Sequence, residues 1–516
     1  MFCNAISQEH RRGENWVVGY SPTVLFKFAS HSIGFDTLLK LGPSLTNGAS
    51  CVSDSNGNLE FFCNGFHVYN KEGWPLRWEN NQTDTLNIPL GTKLYDYYNG
   101  DGFFNQMSLI LPKKNNQYYV FTTGMSDGAY DDWKVTQTDF RFDVLTYHVV
   151  DMDANNGQGE VVAKNKILMQ DAYLSHNRMS AVRHANGRDW WLVKPHRNEQ
   201  RFYLFLVQPD TILGPYEQVV PFNTDSIPIQ FEVYGVRGQL SFSPNGEWMG
   251  STEAGYGGVF VYHFDRCSGE LLPYHFFKQP WMDSTLEDFS SAHCFSPDNQ
   301  LLYLVCGANI WQYDLWDTTT NSALHLTGPD TVLSHFPMYS MSYLAPNGYL
   351  YIGARHAIGK SMPFIEFPNK RGLACGYRGR GYGAFTQPFT NLKVPPNMPH
   401  FTLGAAIGSA CDTIRPAIAA LPQLNPLVLP DAITANGDGR NDSWHILNLS
   451  ALEQAGLEVS EVMVYNRWGQ AVFKSKQNNF NWQASGYASD TYMYLIRYRQ
   501  ANGQTGVQKG TVTVLR

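Results

Sequence analysis

Six times in its first four hundred residues the chain repeats one small pattern: a β-rich run, a turn containing Asn, Asp or Gly, then a second run rich in aromatic and branched residues. The six are CVSDSNGNLEFF at 51, LILPKKNNQYYVFT at 109, AVRHANGRDWWLV at 181, LSFSPNGEWMGS at 240, HCFSPDNQLLYLV at 293 and SYLAPNGYLYIGA at 342. Asn-Gly pairs at 56–57, 186–187, 245–246 and 347–348 are hairpin signals, and a tight primed turn there requires positive φ at both central residues. The turns recur at intervals of roughly 50 to 70 residues, and each hairpin is followed by further strand candidates such as FYLFLVQ at 202 and GVFVYHFD at 258. Three or four strands per period is the proportion of a propeller blade, whereas solenoid repeats are shorter and more regular. With NWVVGY and VLFKFAS (15–30) free to close a ring against the last segment, the expected body is a β-propeller of about seven blades over 15–413. Six or eight blades are the neighbouring counts. Two stacked β-sandwiches are the competing architecture, but they do not require the turn to recur.

Composition agrees with an all-β chain. Aromatic residues make up 14% of the 516, charged residues only 16%, and there are 45 glycines, which suits short strands and tight turns better than charged helices. A net charge of -7 provides no basic field for phosphate backbones or anionic lipid, so a nucleic-acid partner is not expected. GYRGRGYG (376–383) is basic and aromatic, but two arginines in one loop fall short of a nucleic-acid site. No apolar run approaches the ~18 residues of a spanning helix, so no transmembrane segment is expected. MFCNAISQ (1–8) reads either as the remnant of a secretory signal or as a short disordered start. Among the eight cysteines no C-x-x-C pair occurs. Cys375 and Cys411 lie in the irregular end of the body, where a disulfide between them would be useful in an oxidising compartment.

Between Cys411 and Pro430 the sequence turns to CDTIRPAIAALPQLNPLVLP, rich in proline and alanine, and 414–426 reads as a linker. The remaining 427–516 divides into about seven strands, near 427–434, 443–449, 459–467, 470–476, 479–484, 491–500 and 506–516. Tyr492, Tyr494, Ile496 and Tyr498 share one face. A single immunoglobulin-like antiparallel β-sandwich is expected.

ANGDGRND (435–442), VYNRWGQAVF (464–473), TYMYLI (491–496) and KGTVTVLR (509–516) together resemble the type B C-terminal sorting domain, also called the gliding-motility-associated C-terminal domain. The proline usual before that family's NGDG is Ala435 here, and its usual WDG is Trp482 followed by Gln483 and Ala484. The resemblance implies a signal for the type IX secretion system of Bacteroidota. Tyr465, Asn466, Arg467, Trp468, Gly469, Phe473, Lys509, Gly510 and Arg516 become the export-signal residues, with the secretion machinery as partner. The body segments at 51, 179, 241 and 400 resemble the N-terminal propeller region of large Bacteroidota surface proteins, a likeness that implies fold and location without an activity.

Asn436, Asp438, Asn441 and Asp442 put four oxygen-bearing side chains within seven residues, the hard-ligand chemistry Ca²⁺ prefers. The competing account is a polar turn in which Asn and Asp bond their own backbone. No other cofactor is implied. In the body, Asp151, Asp153, His184, Lys194 and His196 lie near strand ends. No H-E-x-x-H, G-x-S-x-G or phosphate loop accompanies them, and no catalytic residue is assigned. The expectation is therefore a secreted or cell-surface protein, exported through periplasm and outer membrane, whose propeller binds a surface protein or glycan. The rivals are a polysaccharide hydrolase or lyase with its site at the channel, and a structural part of adhesion or gliding.

Overall fold

The computed structural model describes residues 10–516 except 20–22, 30–31, 39–44, 46, 79–90, 101, 138–139, 198–199, 221, 223–237, 254–256, 281–289, 308, 319–322, 327–338, 355–361, 380–393, 413–426, 428, 438–440, 448, 450–457 and 500–504. The expected signal remnant at 1–8 and the linker at 414–426 lie outside the described residues. The chain divides into two compact units, Met1–Pro416 and Ala417–Arg516.

Among the described residues the first unit contains seven small sheets in chain order. Blade 1 has three antiparallel strands, Asn15–Val18, Thr23–Ala29 and Ser32–Leu38. Blade 2 has three as well, from Ser50–Ser53 to Val68–Asn70. Blade 3 is an antiparallel meander from Ser108–Pro112 to Glu160–Met169, with the short strand Arg77–Trp78 added in parallel at its outer edge. Blades 4 to 7 are four-stranded meanders that begin at Ser180–Arg183, Gly238–Phe242, Ser290–Phe295 and Tyr339–Leu344. Each hairpin read from the sequence opens one blade, and 15–30 belongs to a blade of its own.

Apolar side chains join every neighbouring pair of sheets. Val17 and Leu25 of blade 1 pack with Cys51 and Phe62 of blade 2. Phe61 of blade 2, Leu109 and Phe121 of blade 3, and Trp190 and Leu192 of blade 4 share one cluster. Trp191 meets Leu240 and Tyr262 of blade 5, and Trp248 meets Leu302 and Trp311 of blade 6. Tyr303 meets Leu350 and Ile352 of blade 7, and Tyr351 and Met341 return to Trp16 and Phe26 of blade 1. The circuit is complete, so the body is a seven-bladed β-propeller. It closes by side-chain packing, with the rings of Trp16 and Tyr351 5.7 Å apart. Among the described residues no strand of the last blade pairs with the first. Burying a large side chain contributes about 1.5–3 kcal/mol, so each joint gathers several such terms.

The hairpin turns differ from the expected primed type. Gly57, Gly187, Gly246 and Gly348 have φ of 81°, 73°, 75° and 82°, whereas Asn56, Asn186, Asn245 and Asn347 are absent from the positive-φ residues. In blade 4, Gly187 N donates to His184 O at 2.9 Å and His184 N to Asp189 O at 2.8 Å. That pattern is a type I turn closed by one left-handed glycine.

A strap, 394–412, holds the ring together. Val394 packs against Trp16 and Tyr343, and Met398 lies between the clusters of blades 1, 2 and 3. Asn397 uses its whole amide: Nδ2 donates to Ser108 O (2.9 Å) and Met179 O (3.0 Å), and Oδ1 accepts from Tyr343 Oη (2.8 Å) and Gln106 Nε2 (3.1 Å). Its backbone N donates to Ala49 O at 2.7 Å. Further along, Phe401 meets Trp190, Leu403 joins the cluster of blades 4 and 5, and Cys411 forms a disulfide with Cys267 of blade 5. The expected Cys375–Cys411 pair is therefore wrong, since Cys375 is a buried free thiol between blades 6 and 7.

The second unit is built on one five-stranded sheet with spatial order Ala432–Thr434, Thr505–Leu515, Asp490–Arg499, Glu458–Tyr465 and Ala471–Ser475. The first pair is parallel and the others antiparallel. The runs expected as strands at 443–449 and 479–484 contribute a single bridge, in which Trp444 and Trp482 exchange N–H···O bonds of 2.8 and 2.9 Å. These two indoles, with Phe480, cover one sheet face and bury Val462, Val464, Ile496, Val512 and Val514 in a core of the unit's own.

Because Asn397 is 1% exposed and its side chain bonds groups of blades 3, 4 and 7, Asn397→Ala strands several buried donors and acceptors. The expected cost is on the order of 3 kcal/mol, read as a lower urea midpoint for the body with the tail's transition unchanged.

Candidate functional site

In an antiparallel blade the first hairpin turn lies at one end, and the connections into the first strand and after the second lie at the other. Past Asn397, which bonds the entries to blades 2, 3 and 4, the strap reaches the hairpin turns of blades 4 and 5: a Cβ on Gly187 would fall 2.8 Å from Ala405 N, and one on Gly246 2.7 Å from Leu403. The ring's interior is filled with amides. Gln106 Nε2 donates to Leu240 O (2.7 Å) and Tyr343 Oη (2.8 Å), Gln239 Nε2 to Ser342 O (2.8 Å), and Asn105 Nδ2 to Gly238 O (3.3 Å). All three side chains are fully buried, so these bonds tie blades 3, 5 and 7 across the axis.

The five body residues singled out by sequence do not form one site. Asp151 and Asp153 sit at the hairpin end, where Asp151 accepts from Gln117 Nε2 (2.8 Å) and Asp153 from Asn116 Nδ2 (2.7 Å). His184 is a turn residue, its Nδ1 accepting from Asn186 N at 3.0 Å and its Nε2 3.0 Å from Cys267 O. His196 stacks on Tyr173 with centroids 5.1 Å apart. Lys194 is fully buried and donates to Asn177 O at 3.1 Å; burial, then the nearby Arg178, holds its ammonium well below the usual lysine range.

In the interior of the body, Ser241 Oγ lies 2.8 Å from His293 Nε2. This pair lacks the rest of a nucleophilic site. His293 Nδ1 faces the Thr252 hydroxyl at 3.4 Å where a carboxylate orienter would be needed, and the imidazole is fully buried. Burial pulls its pKa down to about 3, and burial pulls His148 down to about 3 as well. Among the described residues no three His, Cys, Asp or Glu side chains gather as a metal site does.

Sequence reasoning missed an aromatic corner at the loop end of blade 3. Helix Lys93–Tyr97 precedes the blade's first strand, and helix Asp127–Thr136 connects its second and third. Ser126 caps the longer helix by accepting from Ala129 N, and Lys93 N donates to Asp127 Oδ1 at 2.9 Å, which joins the two helices. Tyr97, half exposed, has ring centroids 5.8 Å from Trp133 and 6.1 Å from Tyr130, and Lys134 Nζ lies 4.1 Å from the Tyr97 centroid. Trp133 is buried and its Nε1 has no hydrogen-bond partner. A Ser-Asp cap before Tyr130, Trp133 and Lys134 at helical spacing was the signal that marked this helix.

In the tail, the motif residues divide into scaffold and surface. Asn466 Oδ1 accepts from Trp468 N and Gln470 N, both at 3.0 Å, and Gly469 has φ 75°, so this pair builds the hairpin turn. Phe473 packs on the tail core. Arg467 Nε donates to Asp490 Oδ2 at 2.6 Å, and that contact holds the Asp490 carboxyl below its usual range. Gly510 lies opposite Tyr494, where a Cβ would come within 2.6 Å of the phenol oxygen. Tyr465 is partly exposed on the sheet face opposite the core, and Lys509 and Arg516 are exposed. Trp468 is 80% exposed at the tip of the turn.

Residues 427–514 match the family model of the CHU_C type IX secretion signal domain. A type IX secretion signal domain marks a secreted or cell-surface protein and implies the secretion machinery as partner. No helix among the described residues is long and apolar enough to cross a membrane. No curated protein matches the chain. Among solved structures it is similar to a functionally unknown Desulfotomaculum acetoxidans protein, with 10% identity over 75% of this chain and 99% of that one and a TM-score of 0.40. It is also similar to a Myceliophteria thermophila β-propeller domain (10% identity, 67% of this chain and 91% of that one, TM-score 0.37). A third is Pseudomonas aeruginosa periplasmic gluconolactonase (10% identity, 97% and 96%, TM-score 0.34).

The calcium candidate lies on a loop of this signal domain. Asp438 falls outside the described residues. Asp442 Oδ1 accepts from Gly437 N (2.8 Å), Asn441 Nδ2 donates to Ala432 O (3.2 Å), and Asn436 N donates to Thr434 O (2.8 Å). The first two are side chain–backbone bonds and the third is main chain only.

Two outcomes follow. Gly510→Ala forces the Tyr494 ring aside and is expected to destabilise the tail by about 1–3 kcal/mol in thermal unfolding, while Lys509→Ala leaves it within ~0.5 kcal/mol. His148 and His293 bind protons only in the unfolded chain between about pH 6.5 and their native value of about 3, so their contribution is complete above pH 6.5 and lost as pH falls through that window. A pH series of body melting temperatures is expected to decline there, with a shallower slope in His293→Gln.

Proposed function

We propose that the chain is an exported bacterial surface protein. Its immunoglobulin-like, gliding-motility-associated tail directs passage through the type IX system of a member of the Bacteroidota, and its propeller binds a surface protein or glycan. The observation that carries the binding half is the aromatic corner. Tyr97 presents a half-exposed ring on a corner fixed by Tyr130, Trp133 and Lys134, at the loop end of blade 3. Aromatic faces of this kind stack on sugar rings and anchor protein contacts. Binding is favoured over hydrolysis because Asp151 and Asp153 are engaged in turn bonds at the opposite end, and because amides and the strap fill the ring's interior. The test is a screen of the full chain against soluble polysaccharides and outer-surface proteins. A ligand is expected whose affinity falls about ten-fold in Tyr97→Ala with the melting temperature unchanged. A ligand indifferent to that substitution, or turnover of a polysaccharide, rejects this reading.

A further inference from the structure

We infer that the export machinery contacts the signal domain at one end of its sheet, and that the Trp468 indole is the anchor. The inference rests on the sorting reading and goes further by locating the contact. Strand register brings three separated motif pieces to this end. Thr434 pairs with Leu515, Asp490 with Val514, and Tyr465 with Met493. The turn 466–470, the described residues 435–437 and 441–442, and Leu515 and Arg516 therefore lie along the same end of the sheet, with the Arg467–Asp490 ion pair and Ala435 N donating to Leu515 O at 2.9 Å among the ties there. The opposite end, where Glu458 pairs with Arg499 and Arg499 with Thr505, holds none of the motif residues.

What distinguishes this end is an exposed apolar group on a rigid mount. Trp468 is 80% exposed, and Met493 at 48% and Leu515 at 47% are exposed on strands that end there. The turn needs Asn466 for its two side-chain bonds and Gly469 for its left-handed φ, but position 468 contributes only a backbone N–H that any non-proline residue supplies. An indole kept in water at such a position has no role in the domain's own packing, and tryptophan is the side chain most enriched where one protein anchors on another. Its partner is a component of the secretion machinery that offers an apolar pocket for an indole, bordered by polar groups facing the Arg467–Asp490 pair.

The experiment uses the full chain expressed in a type IX-competent host, scoring the ratio of surface or medium protein to periplasmic protein. Trp468→Ser is expected to lower that ratio about ten-fold, with the purified chain keeping its tail transition. Arg499→Ser and Lys476→Ser, at the opposite end, are expected to match the parent. Normal export of Trp468→Ser, or loss of its export together with loss of the tail transition, overturns the inference, because the indole would then be dispensable or act through folding. Removal of 427–516 separates the two claims: if the truncated chain is exported as the parent is, the sorting reading itself falls.

Discussion

The body depends on how one amide is used. Asn397 donates into blades 3 and 4 and accepts from Tyr343 of blade 7 and from Gln106, while its backbone reaches the entry to blade 2. The seven sheets meet through apolar joints, and such contacts fix proximity but little orientation. A fully satisfied buried amide supplies the direction that hydrophobic contact lacks. Gln106, Gln239 and Asn105 extend the same device across the axis.

That arrangement decides what the two ends can do. The strap runs from the entries of blades 2, 3 and 4 to the hairpin turns of blades 4 and 5, the acidic residues at the hairpin end of blade 3 serve turns, and two helices stand at that blade's loop end. Buried, neutral His293 and His148 belong to the same economy of satisfied polar groups, which is why a serine–histidine contact in this interior has no nucleophilic consequence.

Much of this was legible because propeller blades are local objects. Each Asn-Gly or Asp-Asn turn with its flanking strands is specified by about a dozen consecutive residues, and the tail's turns and alternating tyrosines are equally local. The strap was not legible: Asn397 meets Ser108 across 289 positions and Tyr343 across 54, and PPNMPHFTLG has no period that announces such partners. The same distance hid the Cys267–Cys411 pairing, which spans 144 residues, while the nearer Cys375 is enclosed among Tyr303 and Ile365. Turn type failed for a subtler reason. Glycine announces its own positive φ, but the conformation of the asparagine before it is set by where the loop closes. In the tail, Trp444 and Trp482 lent two short runs the look of strands, though each is a buried ring held by one bridge. The aromatic corner escaped because a ten-residue helix sat inside what read as a blade connection.

The disulfide stands at the end of the strap, ahead of the stretch of sequence that leads to the signal domain. Tension on that stretch passes through a covalent bond into blade 5. The strap's hydrogen bonds, from Asn397 to Ala406, lie behind this anchor and are not in the load path. A chain drawn by its tail thus transmits the pull to a finished wall of the ring, and the thread that seals the ring stays slack.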